Sequence, residues 1–297
     1  MSISTARSES AHGKTTPWIP MQPESTLGEA WRQVHRALFM VGEVPMLWAR
    51  AHADYRHLAF HYCQSTHALV SCAIDGQRPF RVGLRIPDST LLILGESRSL
   101  LQQFSLSGRS LFEGRTWLLE HAEKLAGESA RNEPVQQGRF DPHPLNEGAP
   151  YGVDLEAGLC EVDHAYRNSD STLKRVLADI APGTAVRIWP HHADIAALVE
   201  LESDGDEALS VGIGMAPADE RIANVYERHG EAYLYAAPWP PPKPETLPEL
   251  TDGAWLTEGP LLAGLPLSEI MAAEVAAQGQ LAERFLRAAY KASESLL

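Results

Sequence analysis

The strongest constraint on the fold is an order of periodicities that occurs twice along the chain. A helical stretch is followed by short apolar or alternating segments cut by turn signals, and then by a second helical stretch. Thr26–Val41 places Leu27, Trp31, Val34, Leu38 and Val41 at helical spacing, with Thr26 or Ser25 as N-cap and Gly42 as stop. Leu58–Cys63, Ala68–Ile74, Phe80–Ile86 and Leu91–Leu94 read as strands, separated by Asp75-Gly76, Pro87-Asp88 and Gly95-Glu96. Asp75-Gly76 is the best hairpin turn among them. Ser110–Leu125 then reads as a helix with Leu111, Trp117, Leu118 and Leu125 inward. In the second half Asp154–Ile180 is helical, with Asp154 as cap. Val186–Leu201, Leu209–Met215 and Ala232–Ala236 are strands, and Leu267–Leu297 is a long C-terminal helix with Ser268 as cap.

The fold class expected is therefore α+β: two helix–antiparallel meander–helix halves, a candidate pseudo-duplication, forming one sheet with helices on one face. Residues 1–24 read as a flexible leader and 25–126 as the first half. Residues 127–153, rich in Pro, Gly, Asn and charge, read as a linker or long loop. Residues 154–297 form the second half, and the Pro-dense tract 238–250 within it is extended because proline fixes φ and lacks a donor.

Composition narrows the function classes. A formal net charge of −14 argues against nucleic-acid partners, which need a positive face to replace counterions. No apolar run approaches the ~18–20 residues that span a bilayer, so no membrane partner is expected. The three cysteines, Cys63, Cys72 and Cys160, lack CxxC spacing, which disfavours a disulfide framework or a structural zinc. A polar N-terminus without an apolar core is unlike a secretory signal. Together these predict a soluble, cytoplasmic protein.

Chemistry concentrates in Val186–Leu201, a strand interrupted near its entry by Trp189, Pro190, His191, His192 and Asp194. Burying such groups costs free energy unless they are paired. Strand periodicity past Pro190 puts His192 and Asp194 on one side, about 7 Å apart. Such a pair binds a metal or lets the carboxylate orient the imidazole as a base. The plainer alternative is a bend whose histidines bond backbone groups, since two ligands do not make a metal site.

Other clusters are weaker. His57, His61 and Cys63 share strand parity, but His57 and His61 would stand about 13 Å apart, too far for one ion. His67 is placed to close a hairpin back toward them. Asp163 and His164 diverge around a helix, whereas Cys160 and His164 share a face in an acidic setting that suits a structural role. Gly212 and Gly214 lack the third glycine and following helix of a phosphate cradle, and instead leave room for a ring such as Trp189 or Trp239. There is no GxSxG, Walker, HExxH or kinase motif.

Four ordered segments carry a resemblance: WPHHADIA (Trp189–Ala196), SVGIGMAPAD (Ser210–Asp219), EAYLYAAPWP (Glu231–Pro240) and AWLTEG (Ala254–Gly259). They resemble an uncharacterised bacterial family known only as a domain of unknown function, whose members read WPHHFDIA, SIGVGMSPGD, PYxYVSPWP and HWHTEG. The matches span roughly Asp141 to Gly259. The resemblance supplies no activity, but its shared polar residues imply His191, His192, Asp194, Asp219, Glu231 and Glu258 as a site, with Trp189 and Trp239 inside its motifs. Ala254 and Leu256 replace the two histidines of HWHTEG, and Ala193 replaces the phenylalanine. A metal site relying on those histidines is crippled here, which implies a divergent or non-catalytic member.

The first functional expectation is a non-enzymatic protein that binds a partner or small ligand, with the His-His-x-Asp segment lining a groove between the sheet and the Pro-rich tract. One alternative is a metal-assisted hydrolase or related enzyme using His191 or His192 with Asp194 and Glu258 around a divalent metal. Another is a subunit of a larger assembly.

Overall fold

The computed structural model describes residues 17–127, 130, 142–202, 208–217, 231–243, 245, 247–257 and 261–297. The first periodic stretch becomes α1 (Leu27–Trp48), which does not stop at Gly42. That glycine serves packing instead, because a Cβ there would stand 2.8 Å from the Pro190 ring. The first meander contains β1 (Phe60–Cys63), β2 (Ala68–Ser71), β3 (Phe80–Arg85), β4 (Thr90–Gly95) and an additional strand, β5 (Leu100–Ser105). Helix α2 (Leu111–Ala126) starts with a capping box in which Ser110 and Glu113 satisfy each other's backbone N–H groups.

Helix α3 (Glu156–Ile180) opens the second half without the expected Asp154 cap. Four strands follow in β6 (Arg187–Trp189), β7 (Asp194–Leu201), β8 (Leu209–Ala216) and β9 (Tyr233–Trp239). Two short ones unmarked by alternation come after them, β10 (Ala254–Leu256) and β11 (Leu262–Pro266). The C-terminal helix is split into α4 (Leu267–Ala272) and α5 (Val275–Glu294) by extended backbone at Ala273 and Glu274.

All eleven strands form one antiparallel sheet in the order β10-β11-β9-β8-β7-β6-β1-β2-β3-β4-β5. The halves meet at β1 and β6, where Phe60 pairs with Ile188. The fold is α+β, with the helices on one face. The main core combines α1, α2, α3 and α5 residues such as Leu38, Leu118, Tyr166 and Phe285 with inward strand residues such as Phe60, Val82, Ile195 and Ile213. The opposite face holds two small apolar clusters of strand residues, Cys63, Ala68, Val70, Leu92 and Leu94, and Ala216, Tyr233 and Leu262. Among the described residues no helix is long and apolar enough to cross a membrane.

Residues 17–24, expected to continue a flexible leader, lie against the helices instead. The buried amides of Asn168 and Gln278 bond the backbone of Ile19 and Met21 in both directions, at 2.8–3.1 Å. Side-chain amides that present a donor and an acceptor together can hold an extended segment as a neighbouring strand would.

Candidate functional site

The segment Trp189–Asp194 is a hairpin turn rather than the entry to one long strand. Trp189 pairs with Asp194, and the Trp189 carbonyl accepts from the Ala193 N–H at 2.7 Å. Ala193 takes a left-handed φ of 53° and is fully buried, where a larger β-carbon substituent would be strained. The Tyr166 hydroxyl of α3 donates to its carbonyl at 2.5 Å, so the turn is fixed from the helix side. Pro190 fills the notch at Gly42. The His191 and His192 rings stand 4.3 Å apart, and Trp189 lies edge-on to His191 at 6.2 Å.

His192 lies in this turn and β7 starts only at Asp194, so the strand-based spacing of the two does not apply. Asp194 faces the helix-free side by register and accepts from the Tyr235 hydroxyl at 3.1 Å. The ring beside the glycines is likewise Tyr235, 4.0 Å from a Cβ built at Gly212, and not a tryptophan. Gly214 is required for another reason: a Cβ there would lie 2.5 Å from the Ile195 carbonyl oxygen.

The other sequence candidates do not gather at this turn. Glu231 binds the first turn of α4, accepting from the Ser268 hydroxyl at 2.7 Å and from its N–H at 3.2 Å. Ser268 is thus not the cap; it receives one. Trp239 is 62% exposed and sits opposite Ser210, six residues along the sheet from the Asp194 row, about 20 Å away. Asp219 and Glu258 lie outside the described residues. Among the described residues no three His, Cys, Asp or Glu side chains converge as a metal would require. The end of the Pro-rich tract does not roof the hairpin. Its Leu250 packs on the helix-side core, and the Pro248 carbonyl accepts from Trp255 Nε1 at 2.8 Å.

A concave site does exist next door. A cleft of about 540 Å³ opens where the chain leaving α1 passes the ends of β1, β2 and β6. Arg50, His52, Arg56 and His57 come from that connection, His61 from β1 and Arg187 from β6, with Cys72 and Asp75 beyond β2. His61 and Arg187 project onto the helix-free face, and Trp189 follows Arg187 two residues along the same side of β6.

The cleft's histidines are held in defined states. His57 lies in a single 3-10 turn (Arg56–Leu58), which breaks the strand parity that had grouped it with His61 and Cys63. Its Nδ1 accepts from the His52 N–H at 3.1 Å, which leaves the ring proton of the neutral form on Nε2. Burial, with His52 alongside, lowers the affinity of His57 for a second proton. Burial also pulls His61 down to about 4, reinforced by the positive charges of Arg98, Arg81 and Lys174. His61 is therefore a neutral imidazole at ordinary pH, and its buried Nε2 finds no hydrogen-bond partner among the described residues.

The cysteines are free thiols. Cys72 Sγ donates to the His57 carbonyl at 3.1 Å, and Cys63 contacts the Ser65 hydroxyl at 3.4 Å. His67 does not return toward His61. Its Nδ1 meets the buried carboxylate of Asp163 at 2.6 Å, and the Tyr62 hydroxyl donates to the other oxygen at 2.8 Å. That triad ties the β1–β2 hairpin to α3. No family model, curated protein or solved structure matches this chain.

Proposed function

We propose that this chain is a non-enzymatic binding protein that holds a small ligand in the cleft between the α1–β1 connection and strands β1, β2 and β6. The observation that carries the reading is the convergence of side chains from three separated segments on one concavity of about 540 Å³, a size typical of small-molecule sites. Arginine and histidine side chains, Arg50, His52, Arg56, His57, His61 and Arg187, line that concavity and give it polar points, as ligand sites usually have. Membership of the bacterial family resembled by the WPHHADIA and SVGIGMAPAD segments is part of the proposal. So is a cytoplasmic location, supported by three free thiols, which persist in reducing compartments.

The test is a thermal-shift screen of a small-metabolite library against the wild-type chain and Ala73→Trp, which places an indole in the cleft. At least one compound should raise the wild-type melting temperature and leave the folded variant unmoved. A library that stabilises neither protein, or both equally, overturns the assignment.

A further inference from the structure

We infer that the ligand of this cleft carries an oxyanion, phosphate or carboxylate, gripped by Arg50, Arg56 and Arg187. This rests on the cleft reading above and adds the chemical class.

The argument begins with charge. A chain of formal charge −14 repels small anions at long range, yet three of its guanidinium groups are drawn to one concavity. Two carboxylates oppose them. Asp75 lines the cleft, and Asp54 stands between two arginines, 3.8 Å from Arg56 Nε and 3.7 Å from Arg187 Nη2. Those separations are ion pairs beyond hydrogen-bond length, so they orient the guanidinium groups without consuming their N–H donors. Among the described residues the Arg187 side chain makes no hydrogen bond, and the Arg50 side chain makes neither a hydrogen bond nor an ion pair. Arg56 spends one terminal nitrogen on His52 Nδ1 at 3.2 Å.

The donor set also favours an anion over a cation. Three guanidinium groups carry no lone pairs to offer a cation, and their charge opposes one. Guanidinium forks match the paired oxygens of phosphate and carboxylate, and such charge-assisted bonds are the strong ones. The Nε2–H of His57 and the neutral ring of His61 add polar contacts that need no proton uptake.

The experiment is calorimetric titration at fixed ionic strength with pyrophosphate and, separately, citrate, on the full chain. The variants are Arg50→Gln and Arg187→Gln, with Arg109→Gln, just ahead of the α2 cap, as a remote control for loss of one positive charge. At least one probe should bind saturably, weaken tenfold or more in each cleft variant and stay unchanged in the control. Pyrophosphate binding assigns phosphate chemistry, and binding of citrate alone assigns carboxylate. The inference is overturned if neither probe binds, or if the control loses affinity equally. A metabolite that stabilises the wild type but not Ala73→Trp, when neither anion binds, leaves the cleft reading standing and removes only the oxyanion.

Discussion

The two faces of one sheet show how differently the same strands are used. Toward the helices, β7 presents Ile195, Ala197 and Val199, all nearly inaccessible, and β8 presents Val211, Ile213 and Met215. Away from them the intervening positions are Asp194, Ala196, Leu198 and Glu200, then Ser210, Gly212, Gly214 and Ala216. The covered face is filled to exclude water, and its residues are interchangeable in kind. The helix-free face holds only two small apolar clusters and is otherwise marked by individual side chains: His61, Arg187, Trp189, Tyr235. Stability is concentrated on the first face, and the proposed recognition would fall on the second.

That contrast is broken or sharpened by four measurements, taken here in decreasing size. Leu38→Ala, in α1 with no exposed surface, should cost about 2–5 kcal/mol in urea unfolding, because the cavity sits in the shared core. A loss under about 1 kcal/mol would mean that the helix layer is not what secures the sheet.

The second concerns pH. The folded His61 is depressed to about 4, below the ordinary 6.5 of the unfolded chain, so between those values the unfolded state takes a proton that the folded state refuses. Stability from this group is intact above pH 6.5 and falls as the pH drops toward 4, by up to about 3 kcal/mol. His61→Gln should flatten that part of the curve, and parallel curves for wild type and variant would contradict it.

Third, Gly42→Ala should destabilise by about 1–3 kcal/mol, since the added methyl meets the rigid Pro190 ring at 2.8 Å. An ordinary mid-helix glycine gains stability from the same change, so the sign alone decides whether α1 braces the hairpin. Fourth, Leu198→Ala on the bare face, where Leu198 is 58% exposed, should change stability by less than about 0.5 kcal/mol. A cost like that of Leu38→Ala would show that something covers this face.

Legibility in the sequence follows the same division. Apolar periodicity reveals contact with a core, so α1, α2, α3 and the central strands could be read directly. Strand β5 was not, because LLQQFS is largely exposed on both sides and carries no alternation. Neither were β10 and β11, which are short and lie beyond a proline tract. The turn at Trp189–Asp194 is hidden because its left-handed residue is Ala193, with no glycine or asparagine to announce it. The cleft escaped for a topological reason. Arg50 and Arg187 are far apart in the chain, and the 3-10 turn at His57 removes the parity that a strand reading assumes. The same reading singled out His57 and His61, but on one strand and too far apart for a shared metal ion.

The junction between the halves has a kinetic consequence. Apart from the β9–β11 pairing, each half's strands pair with their neighbours in the chain, and such hairpins close quickly because little loop entropy is lost. Strand β6 has only three residues, and its single register pair with β1 joins Phe60 to Ile188, far apart in the chain. Such a contact forms late, after both hairpin arrays exist to reward it. The walls of the cleft, His61 on one side and Arg187 on the other, come from either side of that junction. The pocket is therefore completed only when the two halves join, and a compound that fills it would hold that junction closed.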